Sequence, residues 1–558
     1  MASPPSNAQR QSGLSASIEN ARAVTPRGAG ARPGLVLAVL LTAFFLLQLA
    51  LPLRTAIQIG ADEGFELAKA TLCLQGHKLY TEIWNDQPPL HTFLITQILK
   101  HLSLSILGPR LVTSVCTVLL LTSIFILSLR FGGLVVAALT TALLIASPGF
   151  IELSASCMLE IPALAPAVAA LALLMVAGRT KWHITEVLSG ILFGIAFQVK
   201  LVNIVLLPLV ALIIWLRHRT APVAHPVIRS TSAVSRGGES RRPGNAPTPV
   251  PGIAEETGEF GGSAGINRWF PAHNTVSLVI LVASLAASFV AIDCAIDRGG
   301  FLLHFQQSWV SHFAPAKSFE YGSPNDHTFD WSIPLKNWDT TLPAIFGVIF
   351  LVQQRRNLPA AILPLTWLAL TLMVFAKHRP WWSYYYVHNA VPLCWCAAFG
   401  VAATAESIFR PWRRVLSLAA AVLGIGAVSW MGARIYLQIV GIRHVPQTYN
   451  ALVLREIERL KPFARFIYAE PTVYSFHSGI PMPPDLAVLP LKRFWSGNMT
   501  NARIASEMWE TKPEVILLRN DTREVPFQDL IDGEYRVVYQ DASHRLYTKK
   551  TLAKAAGF

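Results

Sequence analysis

The sequence predicts a mainly α-helical, polytopic membrane protein with a small α/β domain outside the membrane after its last span. Hydrophobic residues make up 52% of the 558 positions and charged residues only 14%, whereas a soluble protein has roughly 25% charged residues. Apolar runs long enough to cross a bilayer recur up to about residue 435. From about Gly441 the composition becomes that of a soluble domain.

The charge balance fits a membrane protein better than a nucleic-acid-binding protein. Lys and Arg number 47 against 33 Asp and Glu, a net charge of +14. This surplus lies mostly in short breaks between apolar runs, where basic residues set the orientation of the chain in the membrane. The 6 cysteines show no metal-binding spacing, and most lie in apolar runs. We therefore interpret them as packing residues.

Residues 1–33 are rich in Ala, Ser, Pro, Gly and Arg, a composition that predicts a disordered cytoplasmic tail. The predicted transmembrane domain follows over residues 34–440 and is expected in the cell (inner) membrane. It has eleven predicted spans, at 35–53, 111–129, 132–149, 160–177, 185–200, 201–216, 274–296, 340–354, 359–376, 384–405 and 414–435.

Basic residues support this count with the N-terminus in the cytoplasm. Every predicted cytoplasmic break between spans contains basic residues, as the positive-inside rule requires. In chain order, the breaks contain Arg130; Arg179 and Lys181; Arg217 and Arg219; Arg355 and Arg356; and Arg410, Arg413 and Arg414. Counting the apolar segment Pro88–Leu104 as a span would move Arg130 and Arg179 outside. This segment is therefore predicted to be a helix at the membrane interface.

Two further segments lie outside the predicted spans. Residues 217–273 form a Pro-, Gly-, Ser- and Arg-rich insertion, predicted to be disordered and cytoplasmic. Residues 441–558 are predicted to be the extramembrane α/β domain, on the outer side. Its expected elements are an amphipathic helix at 452–460 and strands at 466–469, 515–518 and 535–539.

Five carboxylates crowd into the loop after the first span, although acids are sparse elsewhere: Asp62, Glu63, Glu66, Glu82 and Asp86. Such a cluster beside a membrane indicates a function. The alternative is that Asp62 and Glu63 are first-turn acids that stabilise a helix N-terminus.

The predicted topology places cations from later loops on the same outer face as these acids. This combination suits transfer of a group from a phosphate leaving group to a hydroxyl. A carboxylate accepts the proton of the attacking hydroxyl, and cations or a metal stabilise the charge on the departing phosphate.

Five stretches carry a more specific resemblance. They are Asp62-Glu63-Gly64, Trp84-Asn85-Asp86-Gln87-Pro88-Pro89-Leu90, Ser156–Pro162, Gly194–Lys200 and the basic-aromatic stretch Lys377–Tyr386. In their order and predicted side, they resemble the motifs of GT-C glycosyltransferases that use polyprenyl- or dolichyl-phosphate sugars. The similar members are the protein O-mannosyltransferases and the lipid A aminoarabinose transferases. The resemblance covers about residues 35–435.

The resemblance implies an enzyme that moves a sugar, a hexose or a pentose, from a polyprenyl-phosphate donor. The acceptor would be a glycan, lipid or protein hydroxyl on the outer face. It implies that Asp62 is the base or an acceptor ligand, with Glu63 in support. Asp86 and Glu160 would complete an acidic pocket that could hold a divalent cation.

The resemblance also implies a site for the donor phosphate. Lys200, His378 and Arg379 would receive the phosphate, and Tyr384 and Tyr385 would donate hydrogen bonds. Each group has a simpler alternative. Lys200 can extend its ammonium to the interface, and Trp381, Trp382 and Tyr384–Tyr386 can belong to an aromatic belt at the membrane surface.

The sequence departs from the family pattern at several positions. Gln87 stands where the family usually has Lys, which removes one partner of the phosphate, and Glu160 replaces the commoner Asp. Trp309 and His312 fall near positions where some relatives carry His and Arg. Two other functions remain open: a transporter or flippase of a lipid-linked or polar solute, and an inactive family member that acts as a scaffold.

Overall fold

The computed structural model describes residues 32–102, 104–176, 183–219, 272–310, 316–353, 358–408, 414–448, 451–522 and 525–558. Most of the predicted cytoplasmic tail and most of the predicted insertion lie outside these residues. So do His312 and most of the basic residues that supported the topology. The number of spans and their orientation therefore stay predictions.

Most of the described chain is helical. Its helices are α1 (Arg32–Leu49), α2 (Glu63–Leu74), α3 (Leu90–Leu102), α4 (Leu107–Ile145), α5 (Phe150–Ala155), α6 (Glu160–Val176), α7 (Ile184–Val199), α8 (Leu207–Arg219), α9 (Ala272–Ile296), α10 (Phe301–Ser308), α11 (Ser332–Lys336), α12 (Trp338–Gln353), α13 (Leu358–Lys377), α14 (Tyr386–Ile408) and α15 (Arg414–Thr448). Short 3₁₀ turns at Leu201–Leu206, Pro324–Asp326 and Ser383–Tyr385 connect some of them.

Apolar helices occupy every predicted span. Within the described residues, four helices are long and apolar enough to cross a membrane, at Leu107–Ile145, Asn274–Ile296, Ser383–Ala405 and Ala421–His444. Six shorter apolar helices coincide with the remaining spans. Helix α4 is interrupted at Gly133, where φ is 75° and ψ is −174°. This position lies just inside the third predicted span, whereas the break was predicted at Arg130.

Close helix packing builds the membrane domain. Helices α12 and α14 approach each other through Gly347 and Gly400. A Cβ on Gly347 would lie 1.9 Å from the carbonyl oxygen of Cys396, and one on Gly400 would lie 2.0 Å from that of Pro343. Small residues at such a contact let two backbones pack tightly where the lipid provides no hydrophobic drive.

The C-terminal part is an α/β domain, as predicted. Its elements are α16 (Ala451–Leu460), β1 (Ile467–Ala469), α17 (Val473–Ser478), α18 (Leu491–Trp495), α19 (Asn501–Thr511), β2 (Val515–Arg519), α20 (Gln528–Glu534), β3 (Tyr535–Gln540), β4 (His544–Lys549) and α21 (Lys550–Ala555). The sheet has the order β1-β2-β4-β3, with β1 parallel to β2 and the other pairs antiparallel. Strand β4 was not predicted.

The last long helix extends beyond its predicted end. Helix α15 continues to Thr448, so the predicted domain boundary at Gly441 lies within a helix. A glycine inside a helix costs only about 1 kcal/mol relative to alanine, which the rest of the helix can offset.

One hydrophobic core joins the first outer loop (residues 54–106) to the C-terminal domain. Leu67, Ile83 and Ile95 belong to the same buried cluster as Tyr474 and Leu517. Helix α2 packs directly against α17. The first outer loop and the C-terminal domain therefore lie together at one end of the membrane domain. The location of this end outside the membrane stays a prediction.

Candidate active site

Asp62 lies at the residue that precedes α2, but its side chain does not cap that helix. Within the described loop, its carboxylate accepts no capping hydrogen bond from the backbone N–H groups of the helix. Its Oδ2 instead accepts a hydrogen bond of 3.0 Å from the hydroxyl of Tyr384. Burial raises the pKa of Asp62 to about 6, and the nearby Glu160 carboxylate raises it further, against the opposing effects of Tyr384 and Lys200. The Asp62 side chain therefore does not hydrogen-bond to the helix N-terminus, although its position there still allows a favourable interaction with the helix dipole.

Glu63 points away from Asp62 into a buried ion pair. Arg110 Nε and Nη2 donate to its two carboxylate oxygens at 2.8 and 2.7 Å. The backbone N–H groups of Ile59 and Cys157 donate to the same oxygens at 2.8 and 3.1 Å. Glu63 and Arg110 are both 0% exposed. These contacts are those of a residue that holds the loop in place, and they leave Glu63 poorly suited to the catalytic support that the resemblance implied.

Gly64 completes this motif with a packing role. A Cβ at this position would lie 3.0 Å from the backbone nitrogen of Val473 in the C-terminal domain. Consecutive residues thus serve different ends: Asp62 faces Tyr384, Glu63 anchors the loop, and Gly64 allows the C-terminal domain to approach.

Glu160 and Lys200 form a second buried pair, close to Asp62. Glu160 begins α6, and Lys200 occupies the extended residue between α7 and the following 3₁₀ turn. The Lys200 ammonium donates to Glu160 Oε1 and lies 5.2 and 4.8 Å from the ring centroids of Tyr384 and Tyr385. Because its side chain is only 8% exposed, Lys200 does not match a lysine that extends to the interface.

Asp86 pairs with a residue that the sequence did not single out. Its Oδ2 accepts a hydrogen bond of 2.9 Å from Lys492 Nζ, on helix α18 of the C-terminal domain. A run of basic and aromatic residues, from Lys492 to Trp495, was the available signal. The partner itself lies 406 residues away in the chain.

The basic-aromatic stretch Lys377–Tyr386 supplies the remaining predicted residues. Arg379 Nη1 donates to the carbonyl oxygens of Ala376 and His378 at 3.2 and 3.0 Å. Burial lowers the pKa of His378, and the charges of Lys492, Lys200 and Arg379 lower it further. His378 is therefore neutral near pH 7 and offers a hydrogen bond rather than a charge.

Aromatic packing fixes this stretch against the C-terminal domain. The rings of Trp382 and Trp495 are nearly parallel, at 6° and 6.4 Å between centroids. Trp381 is buried. These contacts are within the protein, so Trp381 and Trp382 are not simply members of a surface aromatic belt.

Residues of this stretch line two cavities. The larger, of about 790 Å³, lies between the first outer loop and the C-terminal domain. Arg379, Lys492, Tyr80, Trp84 and Trp495 are among its lining residues. The second, of about 360 Å³, is lined by Tyr384 and Ala61, the neighbour of Asp62, together with Glu152, Lys336 and Arg434.

A buried network of polar side chains lies within the first outer loop. Lys69 Nζ donates to Glu66 Oε1 at 2.6 Å and to Asn85 Oδ1 at 3.1 Å, and His91 lies 3.3 Å from Glu66 Oε2. Burial alone would raise the pKa of Glu66, but Lys69 and His91 outweigh it and hold that pKa below its ordinary value. Glu66 is thus structural, and its neighbour network orients the segment that carries Asp86.

The described residues do not offer a good site for a divalent cation. They contain no group of three His, Cys, Asp or Glu side chains placed to hold a metal ion. Asp86 and Glu160, the pair predicted to border such a site, each bind a lysine instead. An adjacent ammonium repels a metal ion, so no step below is assigned to one.

Comparison with known proteins identifies the fold. Residues 86–234 match the family model of dolichyl-phosphate-mannose-protein mannosyltransferases. ArnT from Cupriavidus metallidurans, bound to undecaprenyl phosphate, has a similar structure with a TM-score of 0.58 and 15% identity. The match covers 94% of this chain and 99% of ArnT.

The archaeal oligosaccharyltransferase AglB from Archaeoglobus fulgidus, in complex with an inhibitory peptide and a dolichol-phosphate, is also similar. Its TM-score is 0.50 at 10% identity, over 92% of this chain and 74% of AglB. Among curated protein sequences, none matches this chain significantly. The chain therefore has the GT-C glycosyltransferase fold, as its sequence resemblance predicts, and residues 86–234 carry the pattern of the dolichyl-phosphate-mannose-protein mannosyltransferase family.

Proposed function

We propose that this protein transfers a sugar from a polyprenyl-phosphate donor to a hydroxyl group at the outer face of the membrane, with Asp62 as the general base. The observation that carries the proposal is the pairing of the acids. Glu63, Asp86 and Glu160 each bind a cationic side chain. The Asp62 carboxylate instead accepts a hydrogen bond from the neutral hydroxyl of Tyr384.

This difference selects Asp62 as the proton acceptor. A carboxylate that is held by an arginine or a lysine is a weak base, because the cation stabilises its ionised form. Asp62 instead has a pKa of about 6, which leaves it mostly ionised at pH 7 and still a competent base. A general base works best when its pKa lies near the operating pH.

The proposed reaction is a displacement at the anomeric carbon of the donor sugar. The acceptor oxygen forms the new bond to this carbon as its proton passes to the Asp62 carboxylate. The bond between the anomeric carbon and the phosphate oxygen breaks, and its electron pair remains on the departing polyprenyl phosphate. A phosphate needs no proton in order to leave, so a single base is enough.

The charge that grows on the phosphate must be stabilised by cations and hydrogen-bond donors. Arg379 lines the larger cavity, and the neutral His378 precedes it. Lys200 is buried and Tyr385 is partly buried, and the Lys200 ammonium lies 4.8 Å from the centroid of the Tyr385 ring. These groups are the proposed contacts of the donor phosphate.

The similar solved proteins support a lipid-phosphate ligand. ArnT is bound to undecaprenyl phosphate and AglB to a dolichol-phosphate. We extend this class of ligand to the present chain because its cations gather where the membrane domain meets the C-terminal domain.

Donor consumption tests the proposal. Purified full-length protein is supplied with a polyprenyl-phosphate hexose or pentose and a panel of glycan, lipid and peptide hydroxyl acceptors. Release of polyprenyl phosphate and a mass increase of one acceptor by one sugar residue are expected. Arg379→Gln should slow release by about 10- to 1000-fold, the cost of losing one charged contact to a leaving group.

Arg459→Gln is the matched control, because Arg459 is exposed on α16 and pairs with Glu456 away from both cavities. It should retain full turnover. A transporter or a scaffold would consume no donor with any acceptor, and that result would overturn the proposal.

A further inference from the structure

Lys492 lies close to Gln87, the position at which the family usually has a lysine. Gln87 follows Asp86 directly, and Lys492 Nζ lies 2.9 Å from the Asp86 carboxylate. A cation therefore stands beside this segment although the segment itself carries none. It comes from helix α18 of the C-terminal domain.

Helix α18 is held by contacts with the first outer loop and with the later segment around Lys317. The neighbouring Arg493 is 2% exposed, binds Asp485, and places its guanidinium 5.8 Å from the ring centroid of Trp84. On the other side, the carbonyl oxygen of Trp495 accepts hydrogen bonds from the backbone N–H groups of Lys317 and Ser318 at 2.6 and 3.2 Å. Lys492 thus projects from a fixed support, which is what a preorganised binding residue requires.

Lys492 also shares surroundings with the proposed phosphate-binding residues. It lines the larger cavity together with Arg379. Its charge is close enough to help lower the pKa of His378. Its side chain is 28% exposed, so the ammonium can reach a ligand in the cavity while it remains next to Asp86.

We propose that Lys492 supplies, from the C-terminal domain, the donor-phosphate cation that Gln87 does not provide. This inference rests on the proposed function, since it assigns a further contact to the same lipid phosphate. Asp86 is then a positioning residue that holds the ammonium at the cavity. The C-terminal domain becomes part of the donor site rather than a cover over it.

The charge of the phosphate predicts where Lys492 acts most strongly. The donor is a phosphodiester with one negative charge, whereas the released polyprenyl phosphate is a monoester with between one and two charges at pH 7. Lys492 should therefore bind the product more tightly than the donor. It should contribute to turnover as this charge develops.

Binding of undecaprenyl phosphate by the full-length protein in lipid nanodiscs tests the inference. Lys492→Met is expected to weaken binding by about 10- to 100-fold, as expected for one partly exposed charged contact. Adding Gln87→Lys to this variant should restore much of the affinity, because it returns a lysine to the adjacent position. Lys512→Met is the matched control. Lys512 belongs to the same domain, is ion-paired to Glu534, and should leave binding unchanged.

The double variant Asp86→Asn/Lys492→Met separates a contact from simple charge neutralisation. It removes the carboxylate charge that faces Lys492 together with the ammonium, so the net charge at this position stays as in the wild type. If Lys492 binds phosphate, this variant stays weak. Full recovery of affinity would show that Lys492 only neutralises Asp86 and would overturn the inference, as would unchanged binding by Lys492→Met. If the wild-type protein binds no polyprenyl phosphate, the proposed function itself fails.

Discussion

Replacing Asp62 with Asn should make the protein both inactive and more stable. Asn keeps the size of the side chain and its contact with Tyr384, but it cannot accept a proton from the acceptor hydroxyl. Loss of a general base typically lowers turnover by about 100- to 10,000-fold. Donor affinity should change little, because the described contacts of Asp62 include no hydrogen bond with Lys200, Arg379 or Lys492, the cations proposed to bind phosphate.

The gain in stability follows from the direction of the pKa shift. The pKa of Asp62 rises from 3.8 to about 6 in the folded protein, so folding disfavours the ionised carboxylate. Each unit corresponds to 1.36 kcal/mol, and the shift therefore costs at most about 3 kcal/mol of stability near pH 7. This cost is fully present above pH 6 and disappears as the pH falls towards 4. Asp62→Asn removes it.

Thermal unfolding and single-turnover kinetics on the same preparations measure both effects. Asp62→Asn should unfold at a higher temperature than wild type at pH 7.5, and the difference should shrink at pH 5. In the wild type, turnover should fall as the pH drops through about 6, since the protonated carboxyl is no longer a base.

Glu152→Gln is the control for loss of a buried charge. Burial raises the pKa of the Glu152 carboxyl to about 7, so this variant should also gain stability. It should keep its turnover, because Glu152 is not proposed to take part in the reaction. Near-normal turnover by Asp62→Asn would refute its role as base, and equal losses in both variants would show that the region needs only negative charge.

Three further predictions concern the framework around the site. Glu63→Gln leaves the fully buried Arg110 without a counter-charge and should cost about 3–5 kcal/mol of stability, seen as a lower unfolding temperature. A retained unfolding temperature would contradict the anchoring role. Replacing residues 222–265 with a short Gly/Ser linker should leave turnover near wild type, because their composition cannot form a core; loss of turnover at normal expression would assign them a function. Cysteines placed at the exposed Thr81 and Glu510 should both react with an impermeant reagent in intact cells, and protection of either would refute the proposed outer-side location.

Hydrophobic patterns predicted the helical architecture well, because a helix in an apolar environment is itself made of consecutive apolar residues. Every predicted span coincides with an apolar helix. Strand β4 was not predicted, because its sequence mixes polar and apolar residues without regular alternation. This sequence is His544-Arg545-Leu546-Tyr547-Thr548-Lys549. Its assignment depends on pairing with β2 and β3, which no local pattern expresses.

The candidate site was only partly predictable, because its contacts also join residues that are far apart in the sequence. The motif pointed to Asp62, which we propose as the base, but no local signal distinguishes its surroundings from those of the adjacent Glu63. That distinction depends on Arg110, which lies 47 residues away from Glu63, and on Tyr384, which lies 322 residues away from Asp62. Likewise, Gln87 marks a missing cation in the sequence, whereas its proposed replacement on α18 becomes visible only once the chain is folded.

The shared core of the first outer loop and the C-terminal domain gives these contacts a common physical basis. An ion pair such as Asp86–Lys492 is partly exposed, and such a pair contributes at most about 1 kcal/mol by itself. It cannot hold two domains together. The buried cluster that includes Leu67, Ile95 and Leu517 can do so, because each large apolar side chain that it buries contributes about 1.5–3 kcal/mol. Hydrophobic packing therefore fixes the position of α18, and the polar groups of the site are left free to interact with a ligand.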